Sequence, residues 1–326
     1  MSKLVTIFGG SGFVGRYITR RMAEAGWRVR VAVRHPNDAI FVRPYGAVGQ
    51  VEPVFCNIRD DASVRAVLKE ADAVVNCIGI LVESGRNSFG AVQAEGAGRV
   101  ARLAAEQKVA RLVQISAIGA DADSDSVYAR TKAEGEAQVL KHFPQAMILR
   151  PSIIFGHEDG FFNRFASMSR QSFALPLVGP DTRFQPVYVD DVARAAVLGV
   201  CGEAEPGVYE LGGPEVETFR ELMTRMLKVI RRRRLLVAVP FGMARAMGSA
   251  LDLVQRLTLG LIVNKLLTRD QVLQLARDNV VAQGARGFAE LGLTPTHMDS
   301  VLPEYLWRYR PSGQYSDIHE SAGSLR

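Results

Sequence analysis

Leu4-Val5-Thr6-Ile7-Phe8-Gly9-Gly10-Ser11-Gly12-Phe13-Val14-Gly15 is the stretch on which the reading of the whole chain turns. Its first five residues are apolar and rich in β-branched side chains, the signature of a strand buried on both faces of a parallel sheet. Beyond the glycines, Ile18, Met22 and Ala25 recur at spacings of four and three, which predicts a helix, and Gly26 stands where such a helix stops. Between strand and helix, Gly9, Gly12 and Gly15 meet the three needs of a phosphate-binding turn. The chain must turn sharply, the backbone must come close to a pyrophosphate, and the helix must pack tightly on the strand. The helix start then offers unpaired N–H groups and a positive dipole end. A glycine triplet alone is equally a tight turn. Placed after a strand and before a helix, it points to a dinucleotide site built from Gly9, Gly10, Ser11, Gly12, Phe13, Val14 and Gly15.

Outward from this loop the same alternation repeats. Strands are predicted at 29–33, 51–55, 73–78, 111–115 and 146–150, with helices at 62–70, 92–107 and 128–142. Strands separated by helices at this spacing imply a parallel sheet wound on both faces, with right-handed crossovers. After Pro151 the texture changes. Gly-, Pro- and Phe-rich loops are expected to about Gln185, then a helix from Asp191, a strand near Tyr209 and a helix over 218–229. Residues 235–285 read as mostly helical and amphipathic, and the polar residues from Ser312 as a frayed tail. The expected organisation is a dinucleotide-binding domain over 1–150 with strand and helix returns from about 186–212. A mostly helical interaction region over 151–311 and a flexible tail over 312–326 would follow.

Bulk composition narrows the classes. A chain of 326 residues is one large α/β domain or two modest ones. With 48% hydrophobic and 23% charged residues it is an ordinary globular protein, not a disordered, collagenous or coiled-coil one. Cys56, Cys77 and Cys201 are scattered and odd in number, which argues against a disulfide framework or a zinc site and for a reducing compartment. No run of eighteen apolar residues predicts a transmembrane helix, and no targeting peptide is expected ahead of Leu4. The formal charge of +6 is unevenly spread. Residues 1–50 hold eight Lys/Arg against two acids, and residues 220–234 hold seven against one, ending in Arg231-Arg232-Arg233-Arg234. Two basic clusters imply two anionic contacts. Nucleic acid explains them poorly, because no recognition helix or interleaved aromatics accompany the charge.

At the end of the second strand an acid would hold a ribose diol and select NAD. Here stands Arg34, followed by His35 and with Arg16 and Arg30 close in sequence, so a 2′-phosphate and hence NADP(H) is expected. Tyr128 and Lys132 lie one helical turn apart on one face. A lysine so placed would bond the nicotinamide ribose and lower the phenol's pKa, making Tyr128 a general acid. Asp121, Asp123 and Asp125 read as a solvated turn rather than a metal site. Arg225, Lys228 and Arg231–Arg234 precede aliphatic helices, a pattern that seats on anionic lipid headgroups at about 1 kcal/mol per basic residue. The plainer alternative is a core-facing helix pair beside a solvated charge run.

Taken together, the Gly9–Gly15 loop, Asn76-Cys77-Ile78-Gly79, Ser116, Tyr128 with Lys132, and Arg150-Pro151-Ser152 resemble the short-chain dehydrogenase/reductase superfamily in its extended or atypical branch. The resemblance, over about residues 1–215, implies a Rossmann-like doubly wound sheet with a smaller, mostly helical C-terminal region. It also implies that Asn57, Ile58, Ile78, Gly79, Ser116, Tyr128, Lys132 and Pro151 join the glycine loop and Arg34 around the cofactor. In an active member Tyr128, Lys132 and Ser116 would be catalytic. One departure counts against activity: the carbonyl-polarising hydroxyl of active members aligns with Ile118, which cannot stabilise an oxyanion. Asn57 replaces a family aspartate at the adenine amine, a mild change since its carbonyl still accepts.

Several segments resemble a narrower group, the NADPH-binding accessory subunits of respiratory complex I. They are Val42-Arg43-Pro44-Tyr45-Gly46, residues 150–159 and 162–168, Gln185 to Ala193, Thr268-Arg269-Asp270-Gln271-Val272 and Leu291 to Thr296. This resemblance implies a structural NADPH and a place where the peripheral arm meets the membrane arm near the quinone site, among subunits of the quinone module and membrane arm. It also implies a bacterial version, peripheral on the cytoplasmic face of the inner membrane. The alternatives are an active NADP-dependent reductase or epimerase on a small or sugar-nucleotide substrate, and a regulator that senses NADP(H).

Overall fold

The apolar run Leu4–Phe8 forms β1, every residue of it buried. The computed structural model describes residues 2–258, 264, 267–311 and 313. In chain order β1 is followed by α1 (Phe13–Glu24), β2 (Arg28–Val33), a 3-10 segment (Pro36–Tyr45), β3 (Val51–Phe55), α2 (Asp61–Leu68), β4 (Ala73–Asn76), α3 (Glu95–Glu106), β5 (Arg111–Ile115), α4 (Val127–His142) and β6 (Met147–Pro151). The second half holds β7 (Ile154–Phe155), α5 (Phe162–Gln171), β8 (Ala174–Val178), β9 (Arg183–Phe184), β10 (Val187–Tyr188), α6 (Val189–Cys201), β11 (Gly207–Leu211), β12 (Glu217–Thr218), α7 (Phe219–Val229), β13 (Leu235–Val239), α8 (Phe241–Leu257), α9 (Arg269–Gln274) and α10 (Met298–Leu306).

Seven strands make one sheet in the order β11-β6-β5-β4-β1-β2-β3, and every pairing in it is parallel. The period of two in each strand sends alternate residues to opposite faces. Val5, Ile7, Val29 and Val31 meet Ile18 and Met22 of α1 and Val192 and Ala196 of α6 in one core. Phe8, Ala32, Val74 and Leu112 meet α2, α3 and Val139 of α4 in the other. A sheet so covered needs apolar side chains on both faces, which is why its strands are continuous hydrophobic runs. The C-terminal ends of β1, β2 and β4 converge at the crevice where strand order reverses, the place where ligands bind in open α/β sheets.

A third core lies outside the sheet and is strongly aromatic. Phe155, Phe162, Phe184 and Phe219 pack with Leu222, Met226, Leu302 and Tyr305. Fully burying an apolar side chain of this size contributes about 1.5–3 kcal/mol. Polar ties stitch this part to the sheet. The amide of Thr296 donates to buried Asp191 at 2.6 Å, and Ser152 donates its hydroxyl to Asn279 Oδ1 at 2.7 Å. Within this core itself, Tyr305 donates to Asp159 at 2.5 Å.

Two expectations are corrected here. Residues 151–185 are not loop throughout. They contain α5, whose buried Phe162, Ala166 and Ser169 hold a helical spacing, and the strand β8. Residues 235–285 are less helical than expected, because Leu235–Val239 is a strand paired in parallel with β8, and residues 276–285 are irregular. A five-residue apolar run cannot be told from a buried helix segment by periodicity. Residue 312 and residues 314–326, read as a frayed tail, lie outside the described residues. Among the described residues no helix is long and apolar enough to cross a membrane.

Candidate dinucleotide-binding site

The glycine loop is held by backbone bonds, and at Gly15 they leave no room for a side chain. Gly9 adopts φ +72°, its amide donates to Ala32 O at 3.0 Å, and its carbonyl accepts from Gly12 N at 2.9 Å. A Cβ at Gly15 would stand 2.2 Å from Gly9 O and 2.7 Å from Gly10 Cα. A Cβ at Gly12 would meet only Gly9 O, at 3.1 Å, on an exposed side of the loop. Gly12 caps α1 with no side-chain bond, so the first amides of the helix, at Phe13 and Val14, carry its positive end without a capping side chain. These free amides at a helix start make the loop a candidate anion cradle.

Arg16 braces the loop. Its guanidinium donates to Ser11 O at 3.2 Å, lies 3.2 Å from Glu158 and stacks 4.9 Å from the Phe41 ring. Arg34 directly follows β2, is exposed, and makes no ion pair with any described residue. Arg30 does not join it. Its guanidinium donates to Val67 O at 2.7 Å and Lys69 O at 2.8 Å, closing the end of α2, and burial pulls its pKa down. A residue inside the strand, rather than after it, faces the neighbouring helix. Asn57 Oδ1 accepts from the Arg59 amide at 3.2 Å, which keeps its carbonyl at the β3 end, beside buried Ile58. Arg34→Ala is expected to weaken NADPH by about tenfold to a hundredfold and NADH hardly at all, since only the former carries the extra phosphate. Equal losses for the two in a calorimetric titration would show that Arg34 reads no phosphate.

Tyr128 and Lys132 stand together, on α4. Ser126 caps that helix, its hydroxyl accepting from Ala129 N at 3.2 Å. The Lys132 ammonium lies 5.9 Å from the Tyr128 ring centroid, donates to Ile115 O at 3.4 Å, and borders Gly79, next to Ile78. Phe89 meets the Tyr128 ring edge-on at 5.9 Å. Burial pulls Lys132 down to about 8 from 10.5, with Glu136 and Cys77 partly opposing. The phenol moves the other way from the sequence expectation: burial, with the Asp270 carboxylate second, pushes Tyr128 up to about 12. It is therefore a protonated donor at neutral pH.

Lys132 carries a pH signature. Between about 8 and 10.5 the unfolded chain binds more protons than the folded one, so stability rises with pH through that window. Lys132→Met is expected to remove about 3 kcal/mol of that rise. Urea unfolding of both proteins across the window checks it, and parallel stability curves would contradict it.

The Ser116 hydroxyl is engaged by another partner. It donates to Glu136 Oε1 at 2.5 Å, and Glu136 takes a two-pronged bond from Arg150 at 2.9 and 2.6 Å. Arg150 also reaches Glu210 at 3.5 Å. Ser116 thus belongs to a buried polar chain that joins β5, α4, β6 and β11. Ile118 is 9% exposed, and its amide donates to Pro151 O at 3.0 Å, pinning that turn to the end of β6.

One participant escaped the sequence reading. Asp270, at the start of α9, accepts from Ser126 Oγ at 2.9 Å, Val127 N at 2.7 Å and Tyr128 N at 3.4 Å. It neutralises the positive end of the helix that carries Tyr128 and Lys132. From α8, Gln255 donates to Glu83 O at 3.1 Å. Between these contacts lies a cavity of about 380 Å³ lined by Leu81, Glu83, Phe89, Val127, Asp252 and Leu273. Asp121 is engaged as a turn, accepting from Asp123 N at 3.0 Å, and pairs with Arg277 at 3.2 Å. Arg225 leaves the basic cluster in which the sequence placed it, because it pairs with Glu215, Glu217 and Asp299.

Residues 5–212 match a family model described as the NAD dependent epimerase/dehydratase family. The mitochondrial "NADH dehydrogenase [ubiquinone] 1 alpha subcomplex subunit 9" of Arabidopsis thaliana is 35% identical over 95% of this chain and 79% of its own length. A "Ceramide reductase" of Caulobacter vibrioides is 29% identical over 78% of this chain and 79% of its own. Among solved structures, that of gox2253 has a TM-score of 0.71 at 20% identity, covering 96% of this chain and 99% of that one, which speaks for the fold.

Proposed function

Because the chain belongs to the NAD dependent epimerase/dehydratase family, we propose that it holds NADP(H) in the glycine-loop cradle without turning it over. In this reading it is an accessory subunit of proton-pumping NADH:ubiquinone oxidoreductase, respiratory complex I. The carrying observation is that the likeness to the Arabidopsis subunit runs over 95% of this chain. It therefore includes the C-terminal layer beyond residue 212, which the family model leaves unmatched.

The site residues fit that role. Gly9–Gly15 and the start of α1 would take the pyrophosphate, Arg34 a 2′-phosphate, and Lys132 with Tyr128 the nicotinamide ribose. When bound, the nicotinamide would supply hydride chemistry. The protein around it supplies little to use that chemistry, since the Ser116 hydroxyl is committed to Glu136 and Ile118 offers no donor side chain. A cofactor so held would stabilise the chain by mass action. The location that goes with this role is peripheral, on the cytoplasmic face of a bacterial inner membrane, at the junction of the two arms near the quinone site.

Affinity purification of the tagged chain from gently solubilised membranes tests the proposal. Quinone-module and membrane-arm subunits of complex I should come down in equal amounts with it. Recovery of the chain alone from the soluble fraction would overturn the assignment.

A second reading, an active NADP-dependent reductase, is favoured by the retained Tyr128–Lys132 pair and by the likeness to the Caulobacter reductase. It requires NADPH oxidation with an offered carbonyl substrate that disappears in Tyr128→Phe. In the accessory-subunit reading both proteins oxidise NADPH at the same background rate.

A further inference from the structure

Basic side chains crowd one end of the third core. Arg170 closes α5, Lys228 sits in the last turn of α7, and Arg232, Arg233 and Arg234 lead into β13. Two of them are anchored by backbone oxygens: Arg232 Nε donates to Tyr309 O at 2.8 Å, and Arg234 Nε to Ser169 O at 2.7 Å. Burial first, and then the charges of Arg234 and Arg170, pull Arg232 below its usual range. The positive charges here crowd one another. Arg225, on the same helix as Lys228, is instead matched by three carboxylates.

Apolar side chains project from the middle of this cluster. Phe173 is 87% exposed with the Arg234 guanidinium 6.0 Å from its ring, and its carbonyl accepts from Leu235 N at 3.0 Å. Leu235 is 71% exposed, and Val237, two residues further on the same face of β13, is 47% exposed. An exposed, apolar strand of this kind is a liability unless something covers it.

We propose that this surface seats on an anionic bilayer, with Arg170, Lys228 and Arg233 at the lipid phosphates and Phe173 and Leu235 at the boundary of headgroups and acyl chains. A protein partner would have to bring acids matched to each of these basic residues, whereas an anionic bilayer offers phosphates anywhere along its surface. Protruding apolar tips among unmatched basic residues suit the headgroup region, where both are satisfied at once. The inference stands apart from the complex I assignment, since it concerns the isolated chain and lipid alone.

Sedimentation of the purified full chain with vesicles tests it. Binding is expected to phosphatidylcholine vesicles containing phosphatidylglycerol, to weaken as salt is raised, and to be absent with phosphatidylcholine alone. The triple variant Arg170→Gln, Lys228→Gln, Arg233→Gln changes exposed side chains that make no side-chain bond to a described residue. It should bind about a hundredfold more weakly, about fivefold for each charge lost, with an unchanged thermal midpoint. In Phe173→Trp, emission should shift to the blue on anionic vesicles and be quenched by brominated acyl chains. Equal binding to both vesicle types, or to neither, overturns the proposal. So does an unshifted tryptophan on bound protein. A protein partner would be indicated by co-purification that the triple variant retains while vesicle binding is absent in both proteins.

Discussion

Gly15→Ala is expected to abolish measurable dinucleotide binding, a loss of at least about a hundredfold, and to destabilise the fold by about 1–3 kcal/mol. The added methyl carbon would fall 2.2 Å from Gly9 O and 2.7 Å from Gly10 Cα. Both are backbone atoms, so no rotamer change relieves the clash. Relief requires α1 to move off β1, or Gly9 to leave φ +72° and give up its bonds to Ala32 and Gly12. Either movement dismantles the cradle. Gly12→Ala separates the two roles of these glycines, because its methyl meets only Gly9 O at 3.1 Å. It should lose cofactor and keep most of its stability. Calorimetric titration with NADPH and urea unfolding of both variants would show this order. A Gly12 variant less stable than the Gly15 variant would contradict the assignment of packing to one and approach to the other.

Glu136→Ala is the substitution expected to cost most in stability, about 3 kcal/mol. Glu136 is 6% exposed and accepts from both Ser116 and Arg150. Removing it leaves the Arg150 guanidinium with only the longer contact to Glu210 and strands the Ser116 hydroxyl in the interior. The pair itself need not be net stabilising, since its desolvation offsets its attraction. Hence Glu136→Leu combined with Arg150→Met should recover most of the loss, which a double-mutant cycle in urea would measure. A single-variant cost below about 0.5 kcal/mol would place this network outside the cooperative core.

The alternation through Pro151 was legible in the residues because strands buried on both faces must be unbroken apolar runs. The tight turn between β1 and α1 was legible because a side chain at Gly15 would collide with the Gly9 and Gly10 backbone. What lay hidden was what the chain meets far away. Asp270 caps α4 from 142 residues beyond Tyr128, and no local pattern announces that contact. The available signal was the Thr268–Gln271 capping box, which marks a helix start but not its neighbour. Arg30 and Arg225 read as free charges since sequence shows charge and not partners. The helix α5 was missed because its Asn, Arg and Ser residues mask a buried face anchored by Phe162 and Ala166.

The sheet is finished out of chain order, and that shapes how the protein is made. The strand β11 pairs with β6, yet α5, β8 and α6 all emerge between them. Until α6 arrives, Val113, Met147 and Leu149 lack the helix that covers them. Until β11 arrives, the edge of β6 is open to pairing with another chain. Contacts across such separations form slowly, and exposed edges aggregate while they wait. A chain halted at Pro151 therefore carries six of the seven strands, with the β6 edge unpaired and one face short of its helix. The sheet is complete only once the chain has run past Leu211.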